Sequence, residues 1–365
     1  MTMPPFKDHI SSVSVRRLGD VLAAGDHRFD ACRFAEEASG GLDRLELKAR
    51  VAHVSGVLAR HLPGDFESAA AVVLSTVPSS DLTVWEAWPV TDWVAEAGID
   101  APAAALEVLA AITGRASGEF AIRPFIGRYP AHTFQTMERW TAHPDEEVRR
   151  LVSEGSRPRL PWSPRVGVLD AEPRWAEPLL DRLRDDPSSY VRRSVANHLN
   201  DISKVDPDGA LDVARRWMTG GGTHVAAVVR HGLRTMVKAG DFRALALVGA
   251  DAGAQFEVRD FTVAKRTVRL GGELVWRCVL TAHHGSPVVA VVDYVVHFAG
   301  ARGATRRKVF KLTTVRLDPG RPVEIIRRHP FVPVTTRRYY AGSHRVEVQV
   351  NGRVLGGGDF DLVLD

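Results

Sequence analysis

The chain is poor in the residues that would support several common chemistries. Only two of its 365 residues are cysteine, Cys32 and Cys278, which excludes a disulfide framework and a cysteine-type zinc site. No run of about 18–20 apolar residues is available to span a bilayer, and Met1-Thr2-Met3-Pro4-Pro5 lacks the apolar core of a secretion signal. The expectation is a reduced, cytoplasmic protein with no membrane association. Paired histidines at metal-binding spacing, a phosphate-binding glycine loop, a dinucleotide fingerprint and a nucleophile elbow are all missing. His283-His284 reads as a solvent-exposed loop pair. No metal or cofactor is expected. Lysine is scarce too, with 7 against 41 arginines; that bias makes arginine abundance uninformative and leaves only its placement to interpret.

The net charge of +4 hides an asymmetry. Residues 251–365 hold 18 Lys and Arg against 11 Asp and Glu, a balance of +7, which leaves −3 for residues 1–250. A basic C-terminal third suggests a polyanionic partner.

Hydrophobic periodicity changes along the chain. In Leu42–Leu62, Ala103–Ile112, Glu146–Val152 and Leu211–Met218, apolar residues recur every three or four positions, as in amphipathic helices. From about residue 255 the period becomes two. Phe256–Arg259, Val309–Thr314 and His344–Val350 read as strands, and Asn351-Gly352 as a hairpin turn. About seven strands in roughly 110 residues suit an immunoglobulin-like β-sandwich. In it Trp276 reads as core and Tyr340 as core or a tyrosine corner, with core preferred. The expected fold is therefore multidomain, α then β, with a helical-repeat solenoid over 1–250 and a sandwich over 254–365.

The helical half repeats itself. His143-Pro144-Asp145-Glu146-Glu147-Val148-Arg149-Arg150 aligns with Asp186-Pro187-Ser188-Ser189-Tyr190-Val191-Arg192-Arg193 at an offset of 43, and a weaker copy runs from Thr223 to Leu233. A Pro-x-x-x-Val-Arg signal at this period marks HEAT-type helix pairs, which stack because no pair can bury its apolar face alone. The offset maps Glu154 onto Asn197, with Asp201 one turn further on the same face. Glu154 and Asp201 are thus either presented to a concave lining or solvated at the surface. Glu119, read by position, is a helix N-terminal charge. Between the repeats, Ser156–Arg165 carries three prolines that bar a helix. It also carries Arg157, Arg159, Arg165 and Trp162, a combination suited either to plugging the core or to meeting a phosphate backbone and a sugar or base face. Trp85, Trp88, Trp93, Trp140, Trp175 and Trp217 lie in helical pattern and read as core.

Several sequence words resemble the AlkC branch of the AlkD-like DNA alkylation repair glycosylases. They are Trp88-Pro89 leading to Trp93-Val94, Glu119-Phe120-Ala121-Ile122-Arg123-Pro124-Phe125, Val148–Gly155 with Arg157-Pro158-Arg159-Leu160-Pro161-Trp162, and Val191–Asp201, in family order. A subset of that branch also carries a C-terminal immunoglobulin-like domain. The resemblance implies a monomeric glycosylase acting on double-stranded DNA that contains cationic N-alkylated bases such as 3-methyladenine, without full base flipping. It implies Glu119, Glu154, Trp162 and Asp201 as active-site residues. Arg149, Arg150, Arg157, Arg159, Arg192 and Arg193 are expected to offset these acids and meet DNA. Arg302, Arg306, Arg307, Lys308, Arg337 and Arg338 are expected to hold the duplex from the sandwich. A non-enzymatic scaffold built of helical repeats is the competing expectation, since the fold alone does not decide function.

Overall fold

The computed structural model describes residues 5–251, 253–334 and 337–364. Sixteen α-helices among the described residues run from Ser12–Ala23 to Phe242–Leu247, followed by eight strands. The chain divides into two compact units. One comprises Met1–Gly209 with Gly221–Val228, and the other Ala210–Gly220 with Val229–Asp365. The unit division therefore does not coincide with the switch from helix to strand between Leu247 and Gln255.

In the first unit, the 43-residue repeat has a concrete local cause. The helices Glu146–Gly155 and Ser189–Ile202 begin on equivalent caps: Asp145 accepts from the Glu147 amide at 2.9 Å and Ser188 from the Tyr190 amide at 3.2 Å. Such caps satisfy otherwise orphaned amides of the first turn. The arginine of each Val-Arg pair then folds back over the helix start. Arg149 Nη1 donates to the carbonyls of His143 and Pro144 at 2.8 and 2.9 Å, and Arg192 Nη1 to those of Asp186 and Pro187 at 2.5 and 2.8 Å. The Pro-x-x-x-Val-Arg signal is thus a helix-start clasp. Arg149 also grips Asp186 with two bonds of 2.7 and 3.1 Å, which links one repeat to the next.

In the second unit, a three-stranded sheet of order β1 (Gln255–Val263), β3 (Glu273–His283), β6 (Val323–Pro330) faces a five-stranded sheet of order β2 (Thr267–Arg269), β8 (Arg353–Val363), β7 (Gly342–Val350), β4 (Val288–Ala299), β5 (Thr305–Leu317). Alternating residues of both sheets form the core around Trp276, which packs on Phe261 and Tyr294. Asn351 and Gly352 have φ of 46° and 80° between β7 and β8, the left-handed pair a tight hairpin requires. Tyr340 is half-buried outside that core, and its carbonyl accepts from His344 Nε2 at 3.0 Å. Along β4, Val288, Ala290 and Val292 point into the sandwich, so Val289, Val291 and Asp293 point to the outer face.

Candidate active site

The loop after helix Glu146–Gly155 is shaped from below by a residue that sequence reasoning passed over. Arg123, at the start of helix Arg123–Arg128, is buried at 3% exposure. Its Nη1 donates to the carbonyls of Gly155 at 3.0 Å and Arg157 at 2.8 Å, and its Nη2 to that of Pro164 at 3.0 Å. Burial pushes its guanidinium down to about 10. It thereby satisfies three carbonyls in a segment whose prolines prevent regular hydrogen bonding. Gly155 is required beside it: a Cβ there would lie 2.5 Å from Ile122 Cγ2. The missing side chain lets the helix end carrying Glu154 approach the turn carrying Glu119. An arginine in the otherwise apolar Phe120–Phe125 was the available signal for Arg123.

At the tip of this loop, Trp162 is 65% exposed and has a φ of 66°. A bulky residue held in the left-handed region and turned to solvent costs stability twice over. The Lys48 ammonium bonds its carbonyl and lies 5.6 Å from the Phe120 ring. Trp162, Glu119 and Glu154 line one groove of about 360 Å³ together with Trp85, Trp88 and Phe120. Trp88 stacks on Phe120 with centroids 6.0 Å apart. Trp88, Phe120 and Trp162 also border a second cavity of about 620 Å³ with Lys48 and Asp92. Burial, and then the neighbouring Glu96, raise the Asp92 carboxyl above its usual range.

The acids are joined through basic residues in an alternating series. Arg150 Nη1 donates to Ser117 Oγ at 2.6 Å and bonds Glu119 Oε2, while its Nη2 lies 3.6 Å from Glu154 Oε1. Arg157 Nη1 reaches Glu154 Oε1 at 2.6 Å, and its Nε reaches Asp201 Oδ2 at 2.8 Å. Lys204 closes the series on Asp201 Oδ1 at 3.1 Å. Burial opposes the charge on Arg157, but the bond to Asp201 and the charges of Glu154 and Asp201 outweigh it and raise its pKa. Glu154 Oε2 is held separately by Ser194 Oγ at 2.6 Å, and Ser194 lies 2.9 Å from Ser153 Oγ. A carboxylate only accepts, so Ser194 gives its proton to Glu154 and takes one from Ser153. Behind them His198 is fully buried, and its Nδ1 donates to the Ser153 carbonyl at 3.0 Å. Burial pushes this imidazole down to about 4, so it is neutral at pH 7. Among the described residues, no three His, Cys, Asp or Glu side chains are grouped to hold a metal ion.

With this geometry in hand, the chain can be placed among known proteins. Residues 257–364 match the family described as "Uncharacterised protein YhaZ, C-terminal Ig-like domain". The uncharacterized protein YhaZ of Bacillus subtilis (strain 168) is 33% identical over 318 residues, 87% of this chain and 88% of YhaZ. The structure of Pseudomonas fluorescens alkylpurine DNA glycosylase AlkC, bound to DNA containing an abasic site analog, matches with a TM-score of 0.91 at 35% identity. That match covers 99% of this chain and all of AlkC. The chain belongs to the AlkC family. Its architecture is that of AlkC, a helical-repeat region followed by an immunoglobulin-like domain.

Within this AlkC-family structure, the residues singled out from the sequence separate into groups. Glu119, Glu154 and Trp162 meet in one groove; Asp201, at 1% exposure, does not line it and is joined to Glu154 through Arg157. Glu119 occupies the turn before helix Arg123–Arg128 and is outside its first turn. Arg149, Arg150, Arg157 and Arg192 direct donors to protein acceptors, whereas Arg159 and Arg193 are exposed. In the β domain, Arg302, Arg306, Arg307, Lys308 and Arg338 are exposed. Arg307 is anchored to Gln349 Oε1 at 2.8 Å, and Arg337 lies half-buried with its Cζ 4.0 Å from the Phe298 ring centroid. The reading of six tryptophans as core needs correcting at three positions. Trp93, Trp140 and Trp217 are buried, but Trp85 and Trp88 are half-buried in the groove wall and Trp175 is 44% exposed. Helical periodicity marks a face that is apolar, and a groove lining is apolar as well as a core. No helix among the described residues is long and apolar enough to cross a membrane.

Proposed function

We propose that the chain is a DNA glycosylase that hydrolyses the N-glycosidic bond of cationic N-alkylated bases in double-stranded DNA. The observation carrying this reading is the single groove in which two carboxylates, Glu119 and Glu154, lie beside an outward-turned tryptophan. A methylated purine bearing positive charge is already a good leaving group. Its bond to C1′ breaks with both electrons going to the base, and positive charge develops on the deoxyribose. Carboxylates held in advance by Arg150, Arg157 and Ser194 stabilise that charge without having to reorganise. A water oxygen then bonds C1′ and yields its proton to Glu154, which lines the groove and is held by Arg157 and Ser194. Trp162 packs against the sugar from the exposed loop tip and excludes bulk water, so the base need not be flipped fully out of the stack. Asp201 acts as a positioning residue, setting Arg157 and through it Glu154.

Phosphate contacts in the helical region fall to the exposed Arg159 and Arg193 rather than to the four inward-bonded arginines. Those of the β domain fall to Arg302, Arg306, Lys308 and Arg338, with Arg307 and Arg337 supporting them. The chain works on the duplex as a monomer. The test is release of free methylated base from methylated duplex DNA by the purified full chain. Wild type releases base at a rate set by enzyme concentration, and Glu154→Gln slows it on the order of 100-fold, the scale of one lost preorganised group. Absence of release by wild type ends the proposal in favour of a scaffold or a binding protein.

A further inference from the structure

The second compact unit holds a cavity of about 630 Å³ that the glycosylase reading does not use. One wall is helical. Arg230 belongs to helix Val225–Gly232, and Arg234 and Lys238 to helix Arg234–Ala239. The i,i+4 backbone bonds continue across the junction, from the Leu233 amide to the Val229 carbonyl at 2.8 Å and from the Val237 amide to the Leu233 carbonyl at 2.9 Å. Three cations spaced four residues apart therefore share one helical face, and all three line the cavity. Arg234 additionally donates to the His231 carbonyl at 2.7 Å.

The facing wall is the outer surface of the five-stranded sheet, where Val289, Val291 and Asp293 of β4 meet Lys311 and Thr313 of β5. The pairing of β4 with β5 shifts here: Val292 opposes Thr313, yet Asp293 opposes Lys311, so Leu312 is an extra residue. Bulges of this kind re-aim side chains and recur beside binding sites. This one sets Lys311 directly opposite Asp293. Asp293 is 2% exposed, and burial raises its carboxyl above the usual range while Lys238 and Lys311 act to lower it. Four cations and a single carboxylate thus line a concave space whose remaining lining is valine, threonine and Gly249.

We propose that this cavity binds a phosphate group, held by Arg230 and Lys238 on the helical side and by Lys311 on the sheet side. A guanidinium fork and ammonium groups on two walls match the oxygens of a phosphate. Threonine hydroxyls supply further donors at the rim. The phosphate comes either from a free nucleotide or from the DNA backbone.

Adenosine 5′-monophosphate and an undamaged DNA duplex distinguish these sources, because neither depends on base excision. Titration of the full chain with each compares wild type with Arg230→Gln and Lys311→Gln, both at exposed positions. For a nucleotide site, adenosine 5′-monophosphate binds wild type and each substitution weakens it about tenfold, with duplex binding unchanged. For a backbone site, the nucleotide does not bind, and each substitution lowers the salt slope of duplex binding by about 0.9. Asp293→Asn moves affinity the opposite way, tightening whichever ligand binds, since it removes the one negative charge. No nucleotide binding together with unchanged duplex affinity and salt slope overturns the proposal. So does a uniform weakening by all three substitutions, which marks a damaged fold.

Discussion

Arg157 Nε lies 2.8 Å from Asp201 Oδ2, and this pairing determines what Asp201 can do. Asp201 is 1% exposed, and its two oxygens face Arg157 and Lys204. It bonds the arginine that in turn bonds Glu154. Asp201→Asn therefore destabilises the fold by about 3 kcal/mol, because Arg157 keeps its buried charge and loses a partner. It slows base release less than Glu154→Gln does. Thermal unfolding and single-turnover base release on the two variants test this; Asp201→Asn with wild-type stability and the larger rate loss would contradict it.

Trp162 separates stability from activity in the reverse sense. Its left-handed backbone costs a non-glycine residue roughly 1–2 kcal/mol, and its ring is mostly exposed. Trp162→Gly relieves the backbone and loses little burial, so the melting temperature stays level or rises while base release falls at least tenfold. A lower melting temperature with intact activity would assign the ring to packing.

Arg123 is expected to govern the order of the whole 155–166 loop. Arg123→Met leaves the carbonyls of Gly155, Arg157 and Pro164 without their donor, at about 1 kcal/mol or more for each one kept from water. Hydrogen exchange of the loop amides should quicken, and limited proteolysis should cut there first. Protection equal to wild type would show that the prolines hold the loop unaided.

Acid stability depends on buried histidines, among them His198 in one unit and His329 in the other. Burial brings His198 and His329 down to about 4 from the ordinary 6.5. In the unfolded chain both bind protons as pH falls below 6.5, whereas in the folded chain they do so only near 4. Stability is therefore complete above pH 6.5 and declines between 6.5 and 4. Chemical denaturation at pH 7 and pH 5.5 should show this loss in wild type and a smaller one in His198→Gln with His329→Gln. Equal slopes would place the sensitivity elsewhere.

The salt dependence of DNA binding sorts the arginines. Arg159→Gln and Arg193→Gln should each lower the slope by about 0.9 with little change in melting temperature. Arg149→Gln, which breaks the paired bonds to Asp186 and a helix-start clasp, should lower the melting temperature first. A slope change for Arg149→Gln in a fold of unaltered stability would reverse this assignment.

Much of the fold was legible because its signals are local. The switch of period from about four to two, the Asn351-Gly352 turn and the 43-residue repeat each act through near neighbours. The segment Leu42–Leu62 shows the limit, since it breaks into the 3₁₀ turn Leu42–Arg44 and the helix Leu47–His61. At the site, the words containing Glu119, Glu154 and Trp162 led to residues that share a groove. Their partners were not legible. Whether Arg150 faces solvent or slots between Glu119 and Glu154 depends on turns that bring residues 117–119 and 154 to opposite sides of it. Nor was it legible that Arg149 and Arg192 bond the carbonyls before their own helices. An arginine folding back on its own helix start leaves the same mark in the sequence as one reaching outward.

The outward-facing valines of β4 bear on how such a protein could be taken apart. Val289 and Val291 line one cavity with Val237 and Val248, and Gln349 Nε2 donates to the Lys238 carbonyl at 2.8 Å. Gly240 and Gly352 approach so closely that a Cβ on Gly352 would stand 2.1 Å from Gly240 Cα. The chain from Val229 to Ala250 is thus a lid for the sheet, although its secondary structure is that of the other half. A genetic exchange that grafted the sandwich onto a new host at the first strand would strip that lid and uncover an apolar strip on the transferred module. An exchange that carried the segment along would deliver a sandwich with its own cover in place.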